Sequence, residues 1–260
     1  MVAKLGSAFS VLPFDKADTL VGTSLTDEFL NTIANADLDG AVTVTSEITW
    51  VGDEGGGDSA PAVANVTGVA NHPGIISLAT GATTPADGDI AGLTLANTVL
   101  VDDNDFYMGT IIRIPDVSDT KVSFGLTATR TEAVNSSAAN VVALVFDPED
   151  AANVGDAMFF LQLNIGGTDQ EVVFDQALVV ENEWLILELA VNDTRVVARV
   201  TVDGDTTQPT TQVKELAGAM ATALLPGYLV EAVGAAEELI NVDKFVARYL
   251  RKSMNSLLGA

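Results

Sequence analysis

Short runs in which apolar and polar residues alternate one for one constrain this chain more than any other feature. Val42, Val44, Ile48 and Trp50 alternate with Thr43, Thr45, Glu47 and Thr49. Val122, Phe124 and Leu126 stand opposite Lys121, Ser123 and Thr127, and Phe159, Leu161, Leu163 and Ile165 stand opposite Gln162 and Asn164. Successive side chains point to opposite faces of a strand, so a period of two buries one face and leaves the other polar. Residues 141–146 are apolar at every position and read as a central strand buried on both faces. The clearest hairpin joins a strand from Trp184 to Ala190, a turn at Asn192-Asp193 and a strand from Arg195 to Val202. In the second of these, Val196, Ala198, Val200 and Val202 point inward while Arg195, Arg199 and Thr201 point outward. Asp203-Gly204 then supplies a type I′ turn signal. Many short strands, few helix signals and no repeat of fixed period predict an all-β antiparallel sandwich or jelly roll.

Residues 71–81 read Asn-His-Pro-Gly-Ile-Ile-Ser-Leu-Ala-Thr-Gly. Pro73-Gly74 marks a turn, Ile75 to Thr80 a short strand, and Gly81 its end. The strands described above follow, and a last one runs from Val242 to Leu250. This order, from Asp27 to Arg251, resembles that of phage virion proteins built on the concanavalin A-like (lectin/glucanase) β-sandwich. The resemblance implies an N-terminal arm over 1–20, one sandwich domain over 21–252 and a C-terminal tail over 253–260, with at most one or two short helices. It makes Asp27-Glu28-Phe29 the start of the first strand, against a helical reading of Leu25, Phe29 and Ile33 behind a Ser24 cap. For the role it implies a non-enzymatic virion protein, a capsid decoration or cement subunit on the phage head surface. Such a subunit is made in the host cytoplasm, contacts the major capsid protein or other virion subunits, and assembles as a homotrimer. A tail-associated receptor-binding module that recognises host glycans is the alternative.

Charge narrows the partners. The 260 residues carry 36 acidic and 12 basic side chains, a formal net charge of −24, and such a field repels a phosphate backbone. No nucleic-acid partner is expected. Four of the 12 basic residues, Lys244, Arg248, Arg251 and Lys252, fall near the C-terminus. They suit either docking on an acidic neighbour or protection of a strand edge. The first twenty residues carry Leu5, Phe9, Val11, Leu12 and Phe14 without a clean period, which suits an arm packed on a neighbouring subunit. These nine residues are the expected subunit contacts.

The chemistry-bearing residues are sparse. With no cysteine, disulfides, thiol catalysis and thiolate-bound metals are excluded. Glycosidases of the resembled fold need paired carboxylates on one strand face in a Glu-x-Asp-x-x-Glu or similar pattern. Glu181, Glu183 and Glu188 do not make that spacing, and no catalytic residue is assigned. His72, the single histidine, precedes Pro73 and reads as a structural residue in a turn. Asp102-Asp103-Asn104-Asp105 has the oxygen-rich character of a calcium loop but lacks the glycine and distal glutamate of an EF-hand, so it reads as an acidic turn. No metal or cofactor is expected. Residues 52–58, rich in glycine and acid, read as a loop. Residues 217–236 carry one charge, Glu231, but Pro226-Gly227 cuts them; a short helix over 214–224, a turn and a strand over 228–233 fit better than a membrane span.

Overall fold

A computed structural model describes residues 22–30, 36–38, 41–55, 60–81, 83–99, 104–135, 140–150, 158–165, 168–191, 195–203, 210–215 and 223–251. Every regular element among them is a strand. In chain order these are β1 (Gly22–Asp27), β2 (Ala36–Asp37), β3 (Val42–Thr45), β4 (Thr49–Gly55), β5 (Ala62–Val66) and β6 (Ile75–Ala79). Then come β7 (Ile90–Leu95), β8 (Asn104–Arg113), β9 (Thr120–Thr127), β10 (Val141–Phe146), β11 (Met158–Ile165) and β12 (Thr168–Leu178). The last five are β13 (Trp184–Val191), β14 (Arg195–Val202), β15 (Thr210–Glu215), β16 (Leu225–Ala232) and β17 (Leu239–Arg251).

They form two antiparallel sheets. One has nine strands in the order β15-β14-β13-β8-β17-β6-β5-β2, with β1 paired to β17; the other has eight, β12-β11-β10-β9-β16-β7-β4-β3. The inner faces share one apolar core, in which Trp50, Phe124, Phe146, Phe159, Tyr228 and Phe245 are wholly buried. Trp50 sits at its centre, with its ring centroid 4.8 Å from that of Phe245 and 6.0 Å from those of Phe29 and Tyr228. Each such side chain contributes about 1.5–3 kcal/mol through the apolar surface it removes from water. The alternation places Val122, Phe124 and Leu126, and likewise Phe159, Leu161 and Leu163, on this inner face. The Trp184 hairpin pairs as expected, from Leu185↔Val202 to Val191↔Val196.

Five local readings are corrected. Residues 42–50 are not one strand: the bend over 46–48, closed by the Ser46 N–H on the Ile48 carbonyl at 3.1 Å, folds them into the β3–β4 hairpin. Residues 52–55 are not loop but the end of β4, laddered to β7 from Gly52↔Leu93 to Gly55↔Ile90. The first strand ends at Asp27 rather than starting there, because β1 pairs with β17 over Gly22↔Leu250 to Asp27↔Phe245. Pro226-Gly227 lies inside β16 rather than at a turn. The β7 ladder starts at Gly227, so the missing N–H of Pro226 falls one residue outside it, where proline is tolerated. Lys214 and Glu215 close β15 and Leu224 bridges to Val99, so neither end of the expected 214–224 helix is helical; residues 216–222 lie outside the described set. No described helix is long and apolar enough to cross a membrane.

Candidate functional site

The outer face of the eight-stranded sheet gathers the polar side chains that alternation had assigned to solvent. Ser123, Thr127, Gln162 and Asn164 all lie on it, and all are buried. The reason starts with two glycines, Gly125 on β9 and Gly227 on β16, which stand opposite each other. A Cβ at Gly125 would overlap the Val142 carbonyl oxygen, and one at Gly227 would overlap that of Leu93. With no side chain at either position, the outer face is left open there as a hollow. After β9 the chain crosses that hollow as residues 128–135. Gly92 lets it lie close, since a Cβ there would overlap the Arg130 carbonyl oxygen.

The crossing segment is tied down along its length. The Arg130 Nε donates to Thr94 Oγ1 at 2.7 Å, and the Val134 N–H donates to Glu231 Oε2 at 2.6 Å. Asn135 Nδ2 donates to Asp147 Oδ2 at 3.2 Å and to Asp150 Oδ2 at 3.1 Å, while its Oδ1 accepts from Gln162 Nε2 at 3.1 Å. Val134 packs with Val141, Ala143, Val145, Phe160 and Leu229 in a second apolar cluster, separate from the main core. The residual space between segment and sheet is about 10 Å³, room for one water and not for a ring.

At one end of the hollow Lys121 is the hub. Its Nζ lies 2.9 Å from Glu149, 3.4 Å from Glu231 and 3.9 Å from Asp147. Burial opposes the charge on Lys121, but the hydrogen bond to Glu149 and the fields of Glu231 and Asp147 outweigh it and hold the ammonium above its ordinary value. Burial pushes the Glu231 carboxyl up, partly offset by Lys121 and by the Val134 N–H. The outer rim is open to solvent: Glu149 is 55% exposed and Asn135 and Asp150 are half-buried. The rim therefore presents the carboxylate acceptors of Glu149 and Asp150, fixed in place by the Asn135 and Lys121 donors.

Other polar clusters lie elsewhere. Asp116, Asp119 and Glu238 bring carboxylate oxygens within 4.8 Å of one another, a spacing a hard cation accepts. Burial raises the Glu238 carboxyl while the Thr120 hydroxyl, donating at 2.8 Å, lowers it; the Ser118 side-chain and backbone bonds hold Asp116 below its usual range. Glu238 is far from Asp116 in the sequence, so no local signal announces this cluster. His72 is buried, with Nδ1 3.1 Å from Asp243 and Nε2 3.5 Å from Asp203, and its ring stacks on Trp184 at 4.0 Å. It serves as a structural tie between the end of β14 and β17. Of the three glutamates around β13, Glu181 and Glu183 are exposed, while Glu188 is buried against Arg199 at 3.0 Å and accepts from Tyr107 at 3.0 Å.

Of the expected subunit contacts, Leu5, Phe9, Val11, Leu12, Phe14 and Lys252 lie outside the described residues, as do Asp102, Asp103, Asn192, Asp193 and Gly204. Lys244 is half-buried and bonded to Glu28 at 2.6 Å. Arg248 is exposed on β17, and Arg251 ends that strand opposite Asn104.

No protein-family model matches the sequence, and no curated protein matches it. Solved structures do. A seed lectin of Lotus tetragonolobus aligns over 89% of this chain and 100% of its own at 13% identity, with a TM-score of 0.57. A lectin from Bauhinia forficata in complex with GalNAc aligns over 90% and 100% at 11% identity, with a TM-score of 0.54. Arcelin-5, a lectin-like defense protein from Phaseolus vulgaris, aligns over 89% and 99% at 8% identity, with a TM-score of 0.52. The fold is a concanavalin A-like sandwich. At such identities the likeness reaches the fold and no further.

Proposed function

We propose that this chain is a non-enzymatic recognition module that binds hydroxyl-rich glycans at the rim of the outer hollow. The observation that carries this reading is the rim itself, where the Glu149 and Asp150 carboxylates stand beside solvent and are held in place by Lys121 and Asn135. Sugar hydroxyls donate to carboxylate oxygens, and acceptors fixed on a sheet suit them. Fold neighbours that are lectins, one of them in complex with GalNAc, support the same reading by analogy. A recognition role is favoured over hydrolysis because the carboxyl pairs are engaged internally: Glu188 holds Arg199, and Asp27, which meets Glu47, is wholly buried. With a net charge of −24 the ligand is a neutral or cationic glycan rather than an anionic one. A glycan array probed with the full chain tests this. Selective binding that Glu149→Ala together with Asp150→Ala removes, in a protein that melts normally, is the expected result. Silence across neutral and amino sugars would overturn it.

A second reading, a decoration or cement subunit on a phage head, rests on the sequence resemblance and on exposed Arg248 near the end of β17 in an otherwise acidic chain. Lys244, bonded to Glu28, contributes less to such docking than its charge suggests. Deleting residues 1–14 should abolish binding to undecorated particles and leave the sandwich folded. Changing the four basic residues to alanine should only weaken binding and flatten its salt dependence. Full occupancy by the truncated protein would remove the arm as anchor.

A further inference from the structure

The end of β1 and the turn of the β3–β4 hairpin meet through two carboxyl groups. Asp27 closes β1 in the nine-stranded sheet, and Glu47 sits in the turn between β3 and β4, at the edge of the eight-stranded sheet. Three donors serve the pair. The Ser46 hydroxyl bridges them, 2.9 Å from Asp27 Oδ1 and 3.0 Å from Glu47 Oε2. The Phe29 N–H forks between the same two oxygens at 2.9 and 3.0 Å. The Trp50 indole, at the centre of the core, donates to Asp27 Oδ2 at 2.8 Å. Asp27 Oδ1 and Glu47 Oε2 thus meet the same two donors, and a proton held between the carboxyls would relieve the repulsion of two charges brought together there.

We propose that Asp27 and Glu47 form a proton-operated clasp between the two sheets: one shared proton holds the 46–48 turn of the β3–β4 hairpin against the end of β1, and its loss loosens that turn. With the proton present, one negative charge is spread over two carboxyls and met by three donors. Without it, two negative charges share the same three donors next to the buried indole, and repulsion acts where only a short turn resists it. Glu47 is exposed while Asp27 is wholly buried, so the turn is the part that can loosen, with β4 still laddered to β7 and Trp50 still in the core. Among the neighbouring ionisable groups, Glu28 and Lys244 are bonded to each other, and the buried Tyr228 hydroxyl, which shares a hydrogen bond with Thr110 at 2.7 Å, is pushed up in part by the Asp27 charge.

The direction of the effect follows from the two carboxyls. Burial, then the bond to Glu47, raises Asp27 to about 6, while the bond to Asp27 lowers Glu47 to about 2. The raised group supports the fold fully below the ordinary aspartate range of about 4 and loses that support as pH rises through about 6. The lowered group supports the fold above the ordinary glutamate range and loses that support as pH falls through about 2. The clasp is therefore tightest near pH 4 and weaker at neutral pH, where the 46–48 turn is held less firmly against the end of β1.

Amide hydrogen exchange on the full chain, corrected for intrinsic rates, tests this. The expected result is that the Phe29 amide and the Ser46 amide that closes the turn lose about tenfold or more in protection between about pH 4.5 and about pH 7.5, since raising a carboxyl's midpoint by one pH step means binding its proton about ten times more tightly. The β10–β11 amides should not change. Glu47→Gln supplies a permanent donor to Asp27 and should abolish the pH difference; Asp27→Asn should do the same from the other side. If Asp27→Asn fails to fold, the more exposed Glu47→Gln still decides. Equal wild-type protection at both pH values, or a pH difference that survives in Glu47→Gln, would overturn the clasp.

Discussion

In the middle of the eight-stranded sheet, from β7 to β11, both faces are largely buried, and for different reasons. On the inner face, Val122, Phe124, Leu126, Val142, Leu144 and Phe146 lie against the other sheet, and the driving force is removal of apolar surface from water. On the outer face, Ser123, Thr127, Gln162 and Lys121 sit under or beside residues 128–135, and burial there costs free energy unless each polar atom finds a partner. The inner face tolerates any well-shaped apolar side chain. The outer face combines its own apolar cluster with polar atoms that need particular donors and acceptors. The first kind of burial is generic and the second is specific, so a recognition rim is more readily built beside the second.

The comparison breaks first at the core. Trp50→Ala should cost about 3–5 kcal/mol by leaving a cavity among Phe29, Tyr228 and Phe245, read as a lower urea midpoint. A loss under about 1 kcal/mol would mean the inner face is not the main source of stability. Gly125→Val should cost about 1–3 kcal/mol through overpacking against the β10 backbone, and an unchanged melting temperature would show that β9 and β10 do not approach so closely at this point. Arg130→Ala, which removes one bond from the crossing segment to Thr94, should cost about 0.5–1.5 kcal/mol. Faster exchange of the Val134 amide should accompany it, with core amides unaffected. The smallest effect concerns pH. Burial raises the Glu231 carboxyl, so the stability it contributes is complete below the ordinary glutamate range and is lost as pH rises through the folded value. Glu231→Gln should flatten that part of the stability–pH curve, and an unaltered slope would assign the dependence to other groups.

Much of the inner architecture was legible in the chain. The alternation in residues 122–126 and 159–163 named core residues correctly, the all-apolar run over 141–146 marked a strand buried on both faces, and Trp184 led a strand as expected. Turn chemistry misled where tertiary context overrode it. Pro226-Gly227 has the composition of a turn, yet Gly227 is required by close strand approach and Pro226 pairs with Leu126 of β9 while lying one residue outside the β7 ladder. The glycines and acids of residues 52–55 look like loop but continue β4. The rim was not legible: Lys121, Asn135, Glu149 and Glu231 belong to four separate stretches, and nothing local marks them as neighbours.

Sequence alone therefore determined the all-β class, the inward residues of the main strands and the strongly acidic field, because strand periodicity and net charge are local or additive properties of the chain. Only the tertiary structure decided which polar residues are buried, that Asp27 meets Glu47, and that Asp116, Asp119 and Glu238 converge. An apolar side chain needs only to leave water, and any packed neighbour will do. A buried polar side chain needs one particular partner in one geometry, and here that partner is often supplied by a strand or turn far away in the sequence.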